Sequence, residues 1–537
     1  MLKMMPPKTF GMRQRPAGLL LACILSWAVF NGMNAAAEAL PDRGPDTSDS
    51  VAQAFQQKNG SIFVGWPKPK AVVILTGELN GYVEPCGCAG KENQKGGLSR
   101  RQNLLRAITN AGWPLVSVDL GNQVRRFGRQ AEVKFQSVAD GLRDMGYSAV
   151  GFGPDDLRLP AEELIAAVAA VGDRETPFVS ANVGLLGLDA GITPRFQIVE
   201  AGGLALGITS VLGEQEAKTI RNDSLEMVSA AEALADIAPQ MTAANCDHQI
   251  LLAFTSPAES RRLAEAFPQF DIVVTAGGGD EPPMIPPSLT DETGVLVELG
   301  HKGMYAVAVA FFTDAEAAAS SALQPVQKSS SGRPFLTQRI PLDARWGESD
   351  EMIQLLANYQ LQLETLGLKG LRLGTSRHPS GRTFAGSESC ADCHSAAYDV
   401  WKDSAHASAL VTLEEAVPNR DHDPECLSCH VVGWVPQKFE PYEGGFLSRA
   451  ETPHLAHQGC ENCHGPAAAH AAVEAGDVIA SEIEQDRLRS ELTLDIATPE
   501  GRKRAVNNCL ECHDLDNSPS FDFDEYWPAV AHPSESR

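Results

Sequence analysis

The chain has 537 residues, of which 43% are hydrophobic and 6% aromatic. This length and composition predict two or three globular domains and exclude a largely disordered chain. The formal net charge is −25, from 44 Lys and Arg against 69 Asp and Glu. Such a charge argues against nucleic acid and anionic lipid as partners and favours a partner with a basic surface.

Residues 1–37 have the pattern of a secretion signal peptide. Basic side chains precede an apolar run from Ala17 to Phe30, and Asn34 to Ala37 contains an Ala-x-Ala cleavage pattern. The run is shorter than the ~20 residues that a membrane-spanning helix needs. We therefore predict cleavage, export to the periplasm or the extracellular space, and no stable membrane span. The lipobox-like stretch Leu20 to Cys23 makes a lipoprotein the less favoured alternative. Residues 38–69 are polar and form a predicted leader.

Residues 70–314 alternate between two kinds of segment. Short β-rich runs are separated by stretches with helical periodicity, which is the pattern of an α/β domain. The predicted strands cover residues 71–75, 115–118, 249–253 and 271–275, and the predicted helices cover 98–111, 132–145 and 161–171.

This segment resembles the calcineurin-like metallophosphoesterase family, and in particular its periplasmic 5′-nucleotidase branch. The resemblance implies an α/β sandwich fold. The stretches that carry it are Ile74 to Gly81, Gly96 to Arg101, Val118 to Asn122, Met145 to Val150, Phe178 to Asn182, Leu206 to Thr209 and Asp271 to Gly278.

The metal-binding positions of that family are mostly replaced in this chain. A two-metal hydrolase needs carboxylates and imidazoles that hold two ions about 3.5–4 Å apart. By the resemblance, the Asp-x-His motif becomes Glu78-Leu79-Asn80, Gly-Asp becomes Gly121-Asn122, and Gly-Asn-His-Asp/Glu becomes Gly153 to Asp156. No histidine remains at these positions, although oxygen ligands could still hold Mg²⁺ or Ca²⁺ weakly. We expect a catalytically inactive domain that docks a partner or acts as a scaffold.

Cys86 and Cys88 form a Cys-Gly-Cys pair after the first predicted strand, at the end of the sheet where α/β folds place functional groups. The pair is a candidate redox disulfide or soft-metal site. The alternative is a structural disulfide, either between the two or with Cys246. Residues 315–384 then read as a linker, Ser-rich from 320 to 333, followed by a bridging helix over 348–366.

Four Cys-x-x-Cys-His motifs lie in residues 385–537. Two thiols on one turn can form thioethers with the haem vinyl groups, and the histidine that follows can reach the iron. Zinc sites also use Cys-x-x-Cys, but they do not require a histidine directly after each pair. The motifs therefore predict four covalently bound c-type haems in a mainly α-helical, haem-packed domain. The attachment residues are Cys390, Cys393, Cys426, Cys429, Cys460, Cys463, Cys509 and Cys512, and the proximal iron ligands are His394, His430, His464 and His513.

The same region resembles the multihaem cytochrome c-554 family. That family has four haems in close pairs, three with two histidine ligands and one with an open face. The stretches that carry the resemblance are Trp401 to Ala407, Asp423 to Gly433, Gly459 to Pro466 and Phe521 to His532. The distal ligands that it implies are His406, His470 and His532.

The resemblance leaves the haem at Cys426 and Cys429 as the one with an open position. His422, His454 and His457 have no counterpart in the family and are open candidates to close it. Iron with two histidine ligands passes electrons without binding substrate, whereas an open position allows ligand chemistry.

These patterns support electron transfer between redox partner proteins as the first hypothesis. The alternative is an oxidoreductase that acts on a small nitrogen or sulfur compound at an open haem or at the Cys86 and Cys88 pair. A metal-dependent phosphohydrolase is disfavoured, because the family's metal-binding histidines are missing.

Overall fold

The computed structural model describes residues 61–85, 94–170, 175–290, 293–320, 325–515 and 517–533. The predicted signal peptide, most of the polar leader, and Cys86 and Cys88 lie outside these residues. The described residues all belong to one compact unit.

Two β-sheets form the centre of the N-terminal part. The strands are β1 (Ala71–Thr76), β2 (Leu115–Asp119), β3 (Ala149–Val150), β4 (Val183–Leu185), β5 (Phe196–Ala201), β6 (Leu204–Leu212), β7 (Leu225–Met227), β8 (His248–Phe254), β9 (Ile272–Thr275), β10 (Val295–Glu298), β11 (Tyr305–Phe311), β12 (Gln327–Lys328) and β13 (Pro334–Pro341). The first sheet has the order β12-β13-β11-β1-β2-β3, and the second has the order β10-β9-β8-β6-β5. Strands β4 and β7 form a separate antiparallel pair.

The two sheets pack face to face, and their buried side chains alternate between two cores. In β8, Ile250 and Leu252 belong to the core between the sheets, while Leu251 and Ala253 face the helices on the other side. Alternate residues of a strand point to opposite faces of the sheet, so a strand buried on both faces reads as a continuous apolar run. This arrangement is an α/β sandwich.

The first eight helices flank these sheets. They are α1 (Leu98–Asn110), α2 (Arg129–Asp144), α3 (Ala161–Val168), α4 (Glu214–Ala217), α5 (Ala230–Ala243), α6 (Pro257–Ala266), α7 (Asp314–Ser320) and α8 (Asp350–Gly370). Helices α1 and α2 add apolar side chains to the core of the first sheet, and α5 and α6 cover the second. Helix α8 lies against α1 and α2, and its Tyr359 and Leu363 are buried with Val133 of α2.

The first sheet extends past residue 314, where the sequence predicted a linker. Strand β13 pairs antiparallel with β11, and the Ser-rich stretch forms the turn of a hairpin between β12 and β13. In that turn the Ser329 amide donates to the Arg333 carbonyl, and Gly332 has a φ of +80°. Phe335 and Leu336, which follow the serines, are buried in β13 and are the apolar residues that indicate a strand here.

Short helices dominate the C-terminal part. They are α9 (Glu388–Ala391), α10 (Ser395–Lys402), α11 (Ala409–Glu414), α12 (Pro424–His430), α13 (Cys460–His464), α14 (Ala468–Glu474), α15 (Glu482–Leu492), α16 (Pro499–Leu510) and α17 (Phe523–Tyr526), with one small hairpin of β14 (Trp434–Val435) and β15 (Glu440–Pro441). Both parts of the predicted fold class are thus confirmed. Across the described ranges, no helix combines the length and the apolar character needed to cross a bilayer.

Candidate functional site

Each Cys-x-x-Cys-His motif lies on or beside a single helical turn. In the first motif the His394 amide donates to the Cys390 carbonyl at 2.8 Å, and His513 bonds to Cys509 in the same way at the same distance. A turn of this kind places the first cysteine and the histidine on one face, one above the other. The two thiols and the imidazole can therefore reach one ligand.

Three of the motif histidines have a second histidine ring opposite them. Two imidazoles that bind one metal ion from opposite sides, each through a nitrogen about 2.0 Å from the metal, have ring centres about 6 Å apart. The three observed separations match this value, so the side chains fit a six-coordinate iron between each pair. The ring centres are 6.4 Å apart in His394 and His470, 6.1 Å in His406 and His513, and 5.8 Å in His464 and His532.

The motif histidines are also oriented for metal binding by their other ring nitrogen. His430 Nδ1 is 2.6 Å from the Ala409 carbonyl oxygen, and His464 Nδ1 is 2.7 Å from that of Leu492. A carbonyl only accepts, so the proton is assigned to Nδ1 and the Nε2 lone pair is left for a metal. His513 Nδ1 makes the corresponding contact with the Ser518 hydroxyl at 3.1 Å.

His430 differs from the other three motif histidines. In the described part of the chain, no second histidine ring is stacked against it. His457 Nδ1 instead accepts from the Leu410 amide at 3.3 Å, and His422 Nε2 is 3.0 Å from Asp421 Oδ1. His454 is exposed on a short 3₁₀ turn.

The four motifs are in contact with one another. The Cys390 and Cys460 thiols lie within hydrogen-bonding reach of each other, as do those of Cys429 and Cys512. Asn508, next to the fourth motif, donates to a carbonyl of the third motif at 2.6 Å. Asn462 of the third motif also donates to the carbonyl of Val431, directly after the second motif, at 3.1 Å, so the four motifs form one contiguous cluster.

Glu461 ties the first motif to the third, although its sequence position gives no sign of this role. Its buried carboxylate accepts from the amides of Ala385, Gly386 and Ala467 at 2.7 to 3.1 Å. Burial raises the pKa of Glu461, and these amide groups act in the opposite direction. The carboxylate fixes the loop that leads into the first motif.

The residue that caps the helix of the second motif is held by side chains from α2 and α8. Asp423 is the N-cap of α12 and accepts from the Glu425 amide at 2.9 Å. Its carboxylate also accepts from Gln130 of α2 at 2.7 Å and from Gln360 of α8 at 3.0 Å. The Asp-Pro pair before the motif is the sequence signal of such a cap.

Two ion pairs join the same regions. Lys134 Nζ donates to Glu425 Oε2 at 2.6 Å, and Arg420 pairs with Glu84 at 2.7 Å. Burial disfavours the Lys134 ammonium, yet the carboxylates of Glu425 and Asp423 hold its pKa above the ordinary value. These contacts were not foreseen from the sequence, because their members lie 291 and 336 residues apart.

In the N-terminal part, Asp119 and Asp156 lie in the stretches that resemble the phosphoesterase family, and both accept hydrogen bonds from the protein itself. Asp119 accepts from Thr76 at 2.6 Å, from Arg101 at 3.0 Å and from the Gly121 amide at 2.9 Å. Asp156 is buried and accepts from four backbone amides at 2.7 to 3.2 Å. Burial raises the pKa of Asp156 to about 7 against the effect of those amides.

The other members of this cleft are also satisfied internally. Asn122 Nδ2 donates to Asn80 at 2.6 Å and to Asp155 at 3.2 Å, and Glu78 accepts from the Gly277 amide at 3.0 Å. Burial raises the pKa of Glu78 to about 7. No three His, Cys, Asp or Glu side chains of the described residues converge as a metal-ligand set here or elsewhere. Cys246 forms no disulfide with any other cysteine among the described residues.

Comparison with known proteins agrees with the resemblance found for the C-terminal part. Residues 389–465 match the family model described as "Cytochrome c554 and c-prime", a range that contains the first three motifs. The chain is 35% identical over 96 residues to the cytochrome c-554 of Nitrosomonas europaea, which is 16% of this chain and 38% of that protein. The relation of the C-terminal part to this cytochrome family is confirmed.

Among solved structures, the similar ones include two from Thermus thermophilus. A 5′-nucleotidase precursor has a TM-score of 0.45 at 15% identity, covering 55% of this chain and 59% of that protein. The sulfate thiohydrolase SoxB has a TM-score of 0.43 at 12% identity, covering 58% and 62%. The calcineurin-like phosphoesterase YfkN of Bacillus subtilis has a TM-score of 0.39 at 12% identity, covering 56% and 98%.

Proposed function

We propose that this protein is an exported tetrahaem c-type cytochrome that transfers electrons, and that its α/β part serves as a docking or scaffold domain. The observation that carries the proposal is the set of three opposed histidine pairs, each including the histidine of a Cys-x-x-Cys-His motif. Bound haem supplies one-electron exchange that no amino acid side chain offers at these positions. The chain supplies attachment, orientation and burial.

The chain's own residues hold the four sites close enough to act as a series. Sulfur contacts join the first site to the third and the second to the fourth, and Asn508 joins the fourth to the third. Histidine pairs saturate three of the sites, so these three take no substrate. A relay of electrons along the series is the function that this arrangement supports best.

The export and the partner follow from the sequence. The N-terminal pattern of Lys, Arg and an apolar run supports a cleaved signal peptide, and covalent haem attachment agrees with a periplasmic or extracellular location. The net charge of −25 supports a redox partner with a basic docking surface.

Among the residues that the structure describes, the α/β part has no ligand set of a two-metal hydrolase. Its Asp119 and Asp156 are neutralised or saturated by Arg101 and by backbone amides, and they cannot also coordinate ions without breaking those bonds. Its contacts with the helix of the second motif support a scaffold role.

Haem counting and spectroscopy on the exported protein test this proposal. Mass spectrometry of the mature chain is expected to show four covalent haems, and EPR is expected to show low-spin signals with one high-spin centre. A variant with Cys509→Ala and Cys512→Ala should retain three haems and keep the high-spin signal. Fewer than four haems in the wild-type protein would contradict the tetrahaem proposal.

A second candidate is an oxidoreductase at the second site. His430 has no opposed histidine within the described residues, and a cavity of about 600 Å³ lies beside its helix, lined in part by Leu410, Leu427, His422 and Arg449. A small nitrogen or sulfur compound is the class of substrate that such a site could take. Addition of CO or NO should perturb only the high-spin signal, and spectra that do not change would remove this candidate.

A further inference from the structure

Lys134 is a buried cation that the α/β part places against the second haem site. It lies on α2, and its side chain is 5% exposed. Its ammonium donates to Glu425, the residue before Cys426, at 2.6 Å, and to the Gly81 carbonyl at 3.3 Å. Because Glu425 directly precedes Cys426, this ion pair lies beside the attachment residues of the second site.

The other charged side chains that face this helix also have partners. Arg420 is bonded to Glu84, and Asp423 is bonded to Gln130 and Gln360. Arg126 stacks on the Phe439 ring, with 3.3 Å between its Cζ and the ring centre. Lys134 is the most buried cation among these, so its field is the least screened by water.

A fixed positive charge in a low-dielectric environment stabilises the more negatively charged redox state of a nearby group, which is the reduced state. Reduction of a haem iron adds one negative charge, so a nearby ammonium raises the reduction potential. Glu425 partly cancels this effect, because its carboxylate lies beside the same helix.

We propose that Lys134 raises the reduction potential of the haem held by Cys426 and Cys429, and so makes the α/β part a tuning element of the haem series. Lys134 would act through its charge, because its ammonium bonds to Glu425 and Gly81 and not to the attachment cysteines or the motif histidine. The inference rests on the proposed function, since it requires haem at the second site.

A redox titration of the full-length holoprotein, followed by the EPR signal of the high-spin centre, tests the inference. Lys134→Met should lower the equilibrium constant for reduction of that centre about tenfold. For one electron this corresponds to a reduction potential about 59 mV more negative. Glu425→Gln should shift it to more positive values. The double variant should return close to the wild-type value, Lys134→Arg should preserve that value, and Lys218→Met, an exposed lysine on the second-sheet side, should have no effect.

Two results would overturn the inference. One is a Lys134→Met protein with four haems and an unchanged potential. The other, decisive if Lys134→Met does not assemble, is a Glu425→Gln protein without a positive shift. A wild-type protein without haem at the second motif would instead contradict the proposed function, and haem counting by mass spectrometry separates that failure from the other two.

Discussion

His406 follows the first motif closely in sequence, yet its ring lies opposite His513 of the fourth motif. The family resemblance singled out His406, His470 and His532 as ligands, because each lies in or just after a stretch that matches the family's motifs. It did not predict which histidine each would face. That pairing depends on how short helices pack in three dimensions, and such packing leaves no periodic signal in the sequence.

Replacement of His406 should change one iron and leave the others unaffected. We expect His406→Ala to convert the fourth site from low spin to high spin, because an iron that loses one imidazole has only the His513 side left. EPR of the holoprotein measures this as a second high-spin centre. His454→Ala, at an exposed histidine without an opposed ring, is the control, and an unchanged low-spin count in His406→Ala would refute the pairing.

The environment of Glu78 should make the free energy of unfolding depend on pH. Its pKa is raised from 4.5 to about 7 by burial, so the folded state binds a proton more tightly than the unfolded state. The free energy of unfolding therefore falls as the pH rises from about 4.5 to about 7, and it stays lower above that range because the folded state must then hold the ionised carboxylate.

Glu78→Gln should remove this dependence while keeping an oxygen for the Gly277 amide. Relative to the wild type, we expect the variant to gain about 1–3 kcal/mol between pH 4.5 and pH 8. Denaturant unfolding of both proteins at the two pH values measures the difference. Equal pH dependence in the two proteins would show that Glu78 does not carry the effect.

At the scale of elements, α12 shows what the sequence could and could not predict. The Asp-Pro-x-Cys pattern predicts a capped helix, and α12 begins at Pro424 with Asp423 as its cap. The glutamines that complete the cap were not predictable, since Gln130 and Gln360 have no local pattern. The hairpin of β12 and β13 was not predicted because it does have a local pattern, but a misleading one: its Ser-rich turn resembles a linker.

Asp423→Ala should destabilise the protein more than loss of an ordinary cap. We expect a loss of about 2–4 kcal/mol, because the variant removes a helix cap, leaves the buried Gln360 amide without this acceptor, and leaves Gln130 with the Tyr359 hydroxyl alone. Denaturant unfolding followed at α12 by haem absorbance measures the loss. Asp522→Ala, at the exposed N-cap of α17, is the matched control and should cost about 1 kcal/mol. Equal losses in both variants would contradict the role of the glutamines.

At the scale of the molecule, charge and connectivity act together. The described residues give one cluster of four sites, and the second site contacts the α/β part through Glu425 and Lys134. The acidic composition was readable from the sequence, but the arrangement of the sites was not, because it follows from contacts between motifs and not from their order in the chain.

The acidic character should appear in the salt dependence of electron exchange. We expect the rate with a small basic cytochrome to fall about tenfold or more between 10 mM and 0.5 M salt, because screening removes the attraction between unlike charges. Stopped-flow absorbance measures the rate. A neutral small-molecule reductant is the control and should show little dependence, while an equally flat response with the basic cytochrome would argue against a basic docking partner.

The long-range cap of α12 has a consequence for biosynthesis. Gln130 and Lys134 precede Asp423 and Glu425 by about 290 residues, and N-terminal regions are made first. The α/β part can therefore be complete before the second motif emerges, so that haem is attached to a helix whose supports already exist. A C-terminal segment made alone would reach the attachment step with this helix unsupported.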